Sequence, residues 1–180
     1  MSTFVSLFRG INVGGKRIVP MKELKELYES LGFKNVVTYI QSGNVVCSSD
    51  DTDMALVSQR IEESFGAKFG FHSNVIVRTA AELQAIIECN PFQGQPAQEA
   101  NRQLVLFLAL QPASTALEDI HQAYSGPEEL SLIGRELYIY YPNGVGRSKL
   151  TLTLLEKKLK TAGTGRNWNT VLQLHKLSQR

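Results

Sequence analysis

The chain opens on TFVSLFR at residues 3–9, a run dominated by β-branched and aromatic residues that predicts a strand leading into the Gly-rich stretch GINVGGKRIVP. Apolar positions then change to helical spacing. Met21, Leu24, Leu27, Tyr28 and Leu31 share one face, charges occupy the other, and Gly32 stands where the helix should stop. Two strand-like runs follow, NVVTYI and NVVCSS, joined through Gln41, Ser42, Gly43 and Asn44, where Gly43 can take the positive φ of a hairpin. Asp50, Asp51 and Asp53 suit a helix N-terminus, Met54, Val57, Ile61 and Phe65 form its apolar stripe, and SNVIVR reads as the next strand. The first half is expected to run βαββαβ.

Thr79 and Glu82 have the spacing of a capping box and open a third helix that turns Leu83, Ile86 and Ile87 inward; Asn90 and Pro91 end it. Beyond residues 91–102, QLVLFLAL reads as a buried strand, Leu117, Ile120 and Tyr124 mark a helix, and ELSLIGRELYIYY is a hairpin turning near Gly134 and Arg135. Residues 149–160 and 167–178 read as closing helices, with Asn167 as N-cap of the last. The predicted fold class is α+β: two stacked ferredoxin-like (βαββαβ-type) α/β plaits, the second incomplete, lacking its last strand and ending in helices. The corresponding domains are a ferredoxin-like subdomain plus helix over 1–90, a linker over 91–102, and a second ferredoxin-like subdomain with two closing helices over 103–180. This rests on element order alone, since no sequence repeat accompanies it.

A right-handed crossover through the first helix makes the first two strands parallel, so the GINVGGKR loop and the QSGN turn leave the same edge of the sheet and should converge.

Composition narrows the class. With 180 residues, 43% hydrophobic and 20% charged, the chain can bury a core, which excludes disorder, collagen and coiled coil. No run of 18 apolar residues occurs and MSTFVSLFRG lacks the features of a signal peptide, so a cytoplasmic protein with no membrane partner is expected. Cys47 and Cys89 match no metal-ligand spacing and are expected to behave as small buried hydrophobes. The formal charge of +2 conceals an asymmetry: residues 51–134 carry a net −7 and residues 135–180 a net +7. That basic quarter either pairs with the acidic middle or presents a positive face to an anionic partner.

Gly10 to Lys16 reads G-x-x-x-x-G-K after a strand, the length of a phosphate-cradling Walker loop. The match stops there, because Arg17 stands where Ser or Thr would hold magnesium and Pro20 delays the helix. Two readings stay open: Gly10, Gly14 and Gly15 with Arg9, Lys16 and Arg17 form an anion-binding nest, or the glycines serve turns. In PNGVGRSK, at residues 142–149, Arg147, Ser148 and Lys149 either contact phosphate or form a Ser148 N-cap with solvated charges. Arg166, Asn167, Trp168 and Asn169 gather a guanidinium, two amides and the only Trp at a helix start. Trp168, Val171, Leu172 and His175 share a face there, so the indole is open to a packing role, while Arg166 and Asn169 lie off that face and are freer to bind. Tyr138, Tyr140 and Tyr141 alternate across a strand, where aromatics could stack RNA bases, but the third strand of the first half, SGNVVCSS, lacks the Gly-aromatic octapeptide of an RNA-stacking sheet.

The strings RGINVGG, TYIQSGNVV, GRSKL and RNWNT, spread in this order from residue 9 to residue 170, resemble a family of small bacterial proteins catalogued only as a domain of unknown function. The resemblance implies no activity, substrate or cofactor. It singles out Arg9, Gly10, Asn12, Gly14, Gly15, Gln41, Ser42, Gly43, Asn44, Gly146, Arg147, Ser148, Lys149, Arg166, Asn167, Trp168 and Asn169. Gly165 departs from the pattern, where Thr is expected before RNWNT.

These motifs, with Lys16 and Arg17, are expected to build a cationic, Gly-rich groove that binds a phosphate-bearing small molecule or nucleic acid, with no cofactor and no metal. An enzyme acting on a phosphorylated or carboxylated molecule is the alternative, and it needs an acid-base residue that none of the motifs contains. A third reading makes all four motifs structural. No heptad or apolar stripe argues for a particular oligomer.

Overall fold

The computed structural model describes residues 1–93 and 99–180; of the expected linker, residues 94–98 lie outside the described residues. The chain is a mixed α/β protein with two four-stranded antiparallel sheets and six α-helices among those residues. It divides into two compact units, Met1–Ala85 with Gln173–Arg180, and Ile86–Leu172.

The first unit contains β1 (Ser2–Phe8), α1 (Met21–Ser30), β2 (Lys34–Tyr39), β3 (Asn44–Ser49), α2 (Met54–Phe69) and β4 (Val75–Thr79), with sheet order β2-β3-β1-β4. Alternation along β1 sends Phe4 and Phe8 to one face, where Val45 and Cys47 of β3 and Val75 and Val77 of β4 join them. Leu24, Leu27 and Tyr28 of α1 and Val57, Ile61 and Phe65 of α2 close that core, as their helical spacing predicts. The Asp53 carboxylate accepts from the Ala55 and Leu56 amides at 3.0 and 3.2 Å, which starts α2 and accounts for its acidic prelude. β1 and β2 are each antiparallel to β3 between them, so they run in the same direction.

α3 (Ala80–Glu88) opens on the predicted capping box, Glu82 N donating to Thr79 Oγ1 at 3.1 Å and Thr79 N to Glu82 Oε2 at 2.8 Å. The second unit follows with β5 (Gln103–Leu108), α4 (Ala116–Ala123), β6 (Glu129–Ile133), β7 (Glu136–Tyr140), a 3-10 turn (Val145–Arg147), α5 (Leu152–Leu159) and β8 (Gly163–Asn167). α6 (Trp168–Ser178) ends the chain's regular structure. Its sheet order is β6-β7-β5-β8, with Leu106, Leu108, Leu137 and Ile139 packed against Ile120, Leu155 and Leu159.

Four expectations need correction. The second sheet is complete: GTGRN, hidden by its glycines, forms β8 beside β5. A Cβ on Gly163 would lie 3.0 Å from Leu108 Cδ2 and 3.1 Å from Leu106 Cδ1, and one on Gly165 3.0 Å from Leu104 Cδ2. The leucines of β5 therefore fill the volume that β8 leaves vacant. Ser148 does not cap α5; Thr151 does, accepting from Leu154 N at 3.2 Å, so the helix begins at Leu152. Cys89 is exposed rather than buried, unlike Cys47. On α6 the buried face is Trp168, Val171 and Leu174, which turns Leu172 outward.

Candidate functional site

In the first unit the two loops do converge, and Asn12 joins them. Its Nδ2 donates to Gln41 O at 2.8 Å and to Val19 O at 3.0 Å, while its Oδ1 accepts from Val19 N at 2.7 Å. Gly14 and Gly15, at φ 58° and 71°, are the central residues of a tight turn closed by Lys16 N donating to Val13 O at 3.0 Å. Positive φ at both centres is the type I′ requirement, so the turn itself accounts for both glycines. Gly43, at φ 82°, brings its backbone against β1: a Cβ there would lie 2.5 Å from Ile11 Cδ1 and 2.8 Å from Phe8 Cβ. Asn44 is buried and its Nδ2 donates to Tyr39 O at 2.9 Å and Ser42 Oγ at 3.0 Å.

The cations of this loop are mostly engaged. The Arg17 guanidinium lies over the Phe71 ring at 4.8 Å and donates through Nη2 to His72 O. Arg9 is partly buried, and its backbone is tied to Asn74 O through its N–H and to Ser73 Oγ through its carbonyl. Lys16 and Gln41 are exposed.

The second unit holds GRSK and RNWN. Arg166 is 6% exposed, its Nη1 donating to Thr164 Oγ1 at 2.7 Å and Gly165 O at 2.9 Å, and burial pushes the guanidinium down to about 10. Asn167 caps α6, its Oδ1 accepting from Thr170 N at 2.9 Å. Trp168 is buried with Val171, and Asn169 is exposed.

Arg147, Ser148 and Lys149 of GRSK line a cleft of about 300 Å³ together with Tyr124, Glu128, Tyr141 and Asn143. The Ser148 hydroxyl donates to Glu128 Oε1 at 2.5 Å and accepts from Leu150 N at 3.1 Å; Tyr124 Oη donates to Glu128 Oε2 at 2.8 Å. Burial alone would raise the Glu128 carboxyl, but the hydrogen bonds from Ser148, from its own backbone and from Tyr124 outweigh that and hold it below the usual carboxylate range. Burial, and then the Glu128 carboxylate that it bonds, raise the Tyr124 phenol, and burial pushes Tyr141 up to about 12. Arg147 and Lys149 are exposed, and among the described residues neither side chain has a hydrogen bond or ion pair. The three tyrosines of ELYIYY are buried at 2, 8 and 5% exposure, which leaves no stacking platform there.

Glu128 and Tyr124 belong to none of the sequence motifs. One signal does reach Glu128: a hairpin turning at Gly134 and Arg135 pairs Glu129 with Tyr140, and continuing that register one position outward places Glu128 level with Tyr141.

Residues 1–138 match the family model described as "Protein of unknown function (DUF1697)". The chain belongs to the DUF1697 family. The matched DUF1697 region contains RGINVGG and TYIQSGNVV and stops short of GRSKL and RNWNT. No curated protein matches. Among solved structures, the DUF1697 chain is similar to the conserved bacterial protein SP0830 from Streptococcus pneumoniae, with a TM-score of 0.75 and 23% identity over 100% of this chain and 99% of that one. That likeness bears on the fold. Among the described residues no helix is long and apolar enough to cross a membrane.

Proposed function

We propose that this protein binds a small phosphate-bearing molecule in the cleft of its second unit, with Arg147 and Lys149 as the anion contacts and Asn143 and Ser148 beside them. What carries this reading is the state of the two cations: both are exposed on a cleft, without side-chain partners among the described residues, in the most basic stretch of the chain. A volume of about 300 Å³ suits a small metabolite. The exposed Asn169 stands as a further candidate contact, and Lys16 and Gln41 as a separate, weaker one in the first unit. The strand orders, with antiparallel neighbours throughout, support reading each unit as a ferredoxin-like plait, with residues 91–102 as the connection.

The test is titration calorimetry of the full chain with inorganic phosphate and phosphate monoesters. Replacing both Arg147 and Lys149 by Ala should weaken binding by about tenfold or more, the worth of a charge-assisted hydrogen bond. Unchanged affinity would remove the reading. A nucleic-acid ligand would instead give a log affinity falling steeply with log salt, so a flat titration between about 50 and 200 mM excludes that version.

A second reading, an enzyme acting on the same ligand, is favoured by Glu128: an ionised carboxylate in the cleft supplies the acid-base group absent from the four motifs. Turnover of a phosphorylated or carboxylated metabolite that Glu128→Gln abolishes would establish it.

A further inference from the structure

A site for a bare anion gains nothing from a carboxylate, since like charges repel, yet Glu128 lines the same cleft as Arg147 and Lys149. The carboxylate is deliberately held. Its two oxygens accept from Tyr124 Oη and Ser148 Oγ, and Ser148 is itself fixed within the GRSKL segment by the Leu150 N–H. The turn beneath is shaped around this pair. A Cβ on Gly126 would lie 2.4 Å from Tyr124 Oη and 2.5 Å from Glu128 Oε2, although Gly126 has no positive φ that would demand glycine for the backbone's sake.

An ionised carboxylate offers about four lone-pair positions, of which the two hydroxyls use two and its own backbone N–H a third, so one is open to a donor brought by a ligand. We infer that the ligand is a phosphate monoester of a polyol or sugar, its phosphate at Arg147 and Lys149 and a hydroxyl donating to Glu128, which makes Glu128 the residue that selects it. This rests on the phosphate-binding reading above.

Calorimetry on the full chain with inorganic phosphate, glycerol 3-phosphate, glucose 6-phosphate and phosphoethanolamine tests it, using wild type, Glu128→Gln and Tyr124→Phe. The wild type should bind one of the two polyol phosphates about tenfold tighter than inorganic phosphate, the scale of a hydrogen bond to a charged group. Glu128→Gln should weaken that polyol phosphate and tighten inorganic phosphate, so the preference collapses. Tyr124→Phe keeps the carboxylate and should keep the preference, which separates selection from misfolding. Equal affinities across the phosphates, a preference for phosphoethanolamine, or a preference that survives Glu128→Gln overturns the inference while leaving the phosphate site standing. Failure of every phosphate compound to bind, or indifference to the loss of Arg147 and Lys149, instead removes the underlying reading.

Discussion

The last sheet strand of the first unit is VIVRT and that of the second is GTGRN, two segments with little in common as sequence. They occupy the same place. Arg78 pairs with Val5 of the central strand β1, and Arg166 pairs with Val105 of the central strand β5; both arginines are buried, and each precedes a residue that caps the following helix, Thr79 or Asn167. The difference lies in who fills the core. Val77 stands opposite the small Ser6, whereas Gly165 stands opposite Leu106. A strand's place in a sheet is thus set by register and by the volume its neighbours leave, and its own hydrophobicity can be exchanged for theirs.

The hairpin turns give the sharpest contrast between the units. Gly43 has a positive φ and no room for a Cβ, whereas Gly134, at φ 60°, has nothing nearer to its Cβ position than Glu136 Oε2 at 3.9 Å. Gly43→Ala should therefore cost about 4 kcal/mol, combining overpacking with backbone strain, and Gly134→Ala about 1 kcal/mol from strain alone. Urea unfolding of both variants measures this, and equal losses would mean that the β2–β3 turn is not clamped against β1.

Next in size is the strand exchange. Gly163→Val gives β8 the residue that β4 has at the matching position, and it should destabilise by about 2 kcal/mol because Leu106 and Leu108 already occupy the space. Shortening Leu108 to Ala in the same chain should recover part of that loss. If Gly163→Val is neutral in urea unfolding, the leucines do not substitute for a β8 side chain.

How much of this the sequence discloses follows from the same contrast. Elements that carry their own period and their own caps are readable, as with Asp53 before α2 or Thr79 and Glu82 at α3, because the physics is local. β8 is not, since its core is contributed by residues some sixty positions earlier, and nothing in RNWNT reveals that the Arg166 guanidinium is turned toward Thr164 and Gly165 rather than outward as a binding residue. The motif glycines and asparagines were visible as a set, but their use in turns and in loop-to-loop hydrogen bonds depends on contacts such as Asn12 with Gln41. Glu128 belongs to no motif at all; only hairpin register brings it to the cleft.

The Glu128 network of the second unit responds to acid. The Glu128 carboxyl has a folded-state pKa below its ordinary value, so its network adds stability that is present above the unfolded-state pKa and lost as the pH falls through the folded one. The gap in melting temperature between wild type and Glu128→Gln should be fully open at neutral pH and should close below about pH 4. A gap that stays constant across that range would show that shape, and not charge, is what Tyr124 and Ser148 hold.

The smallest expected effect is at Lys16, whose side chain is exposed and without a partner among the described residues at the tip of the Gly14–Gly15 turn. The turn is closed by the Lys16 backbone N–H, which any side chain except proline's leaves in place, so Lys16→Ala should change stability by no more than about 0.5 kcal/mol. Because the phosphate contacts proposed above are Arg147 and Lys149, Lys16→Ala should also leave phosphate affinity within about twofold of wild type. The two measurements separate the possible roles of the first-unit loop. A fall in affinity of tenfold or more at unchanged stability would make Lys16 a ligand contact and extend the binding surface to RGINVGG, whereas a fall in both would mean that the loop's fold, rather than its charge, is what the ligand requires.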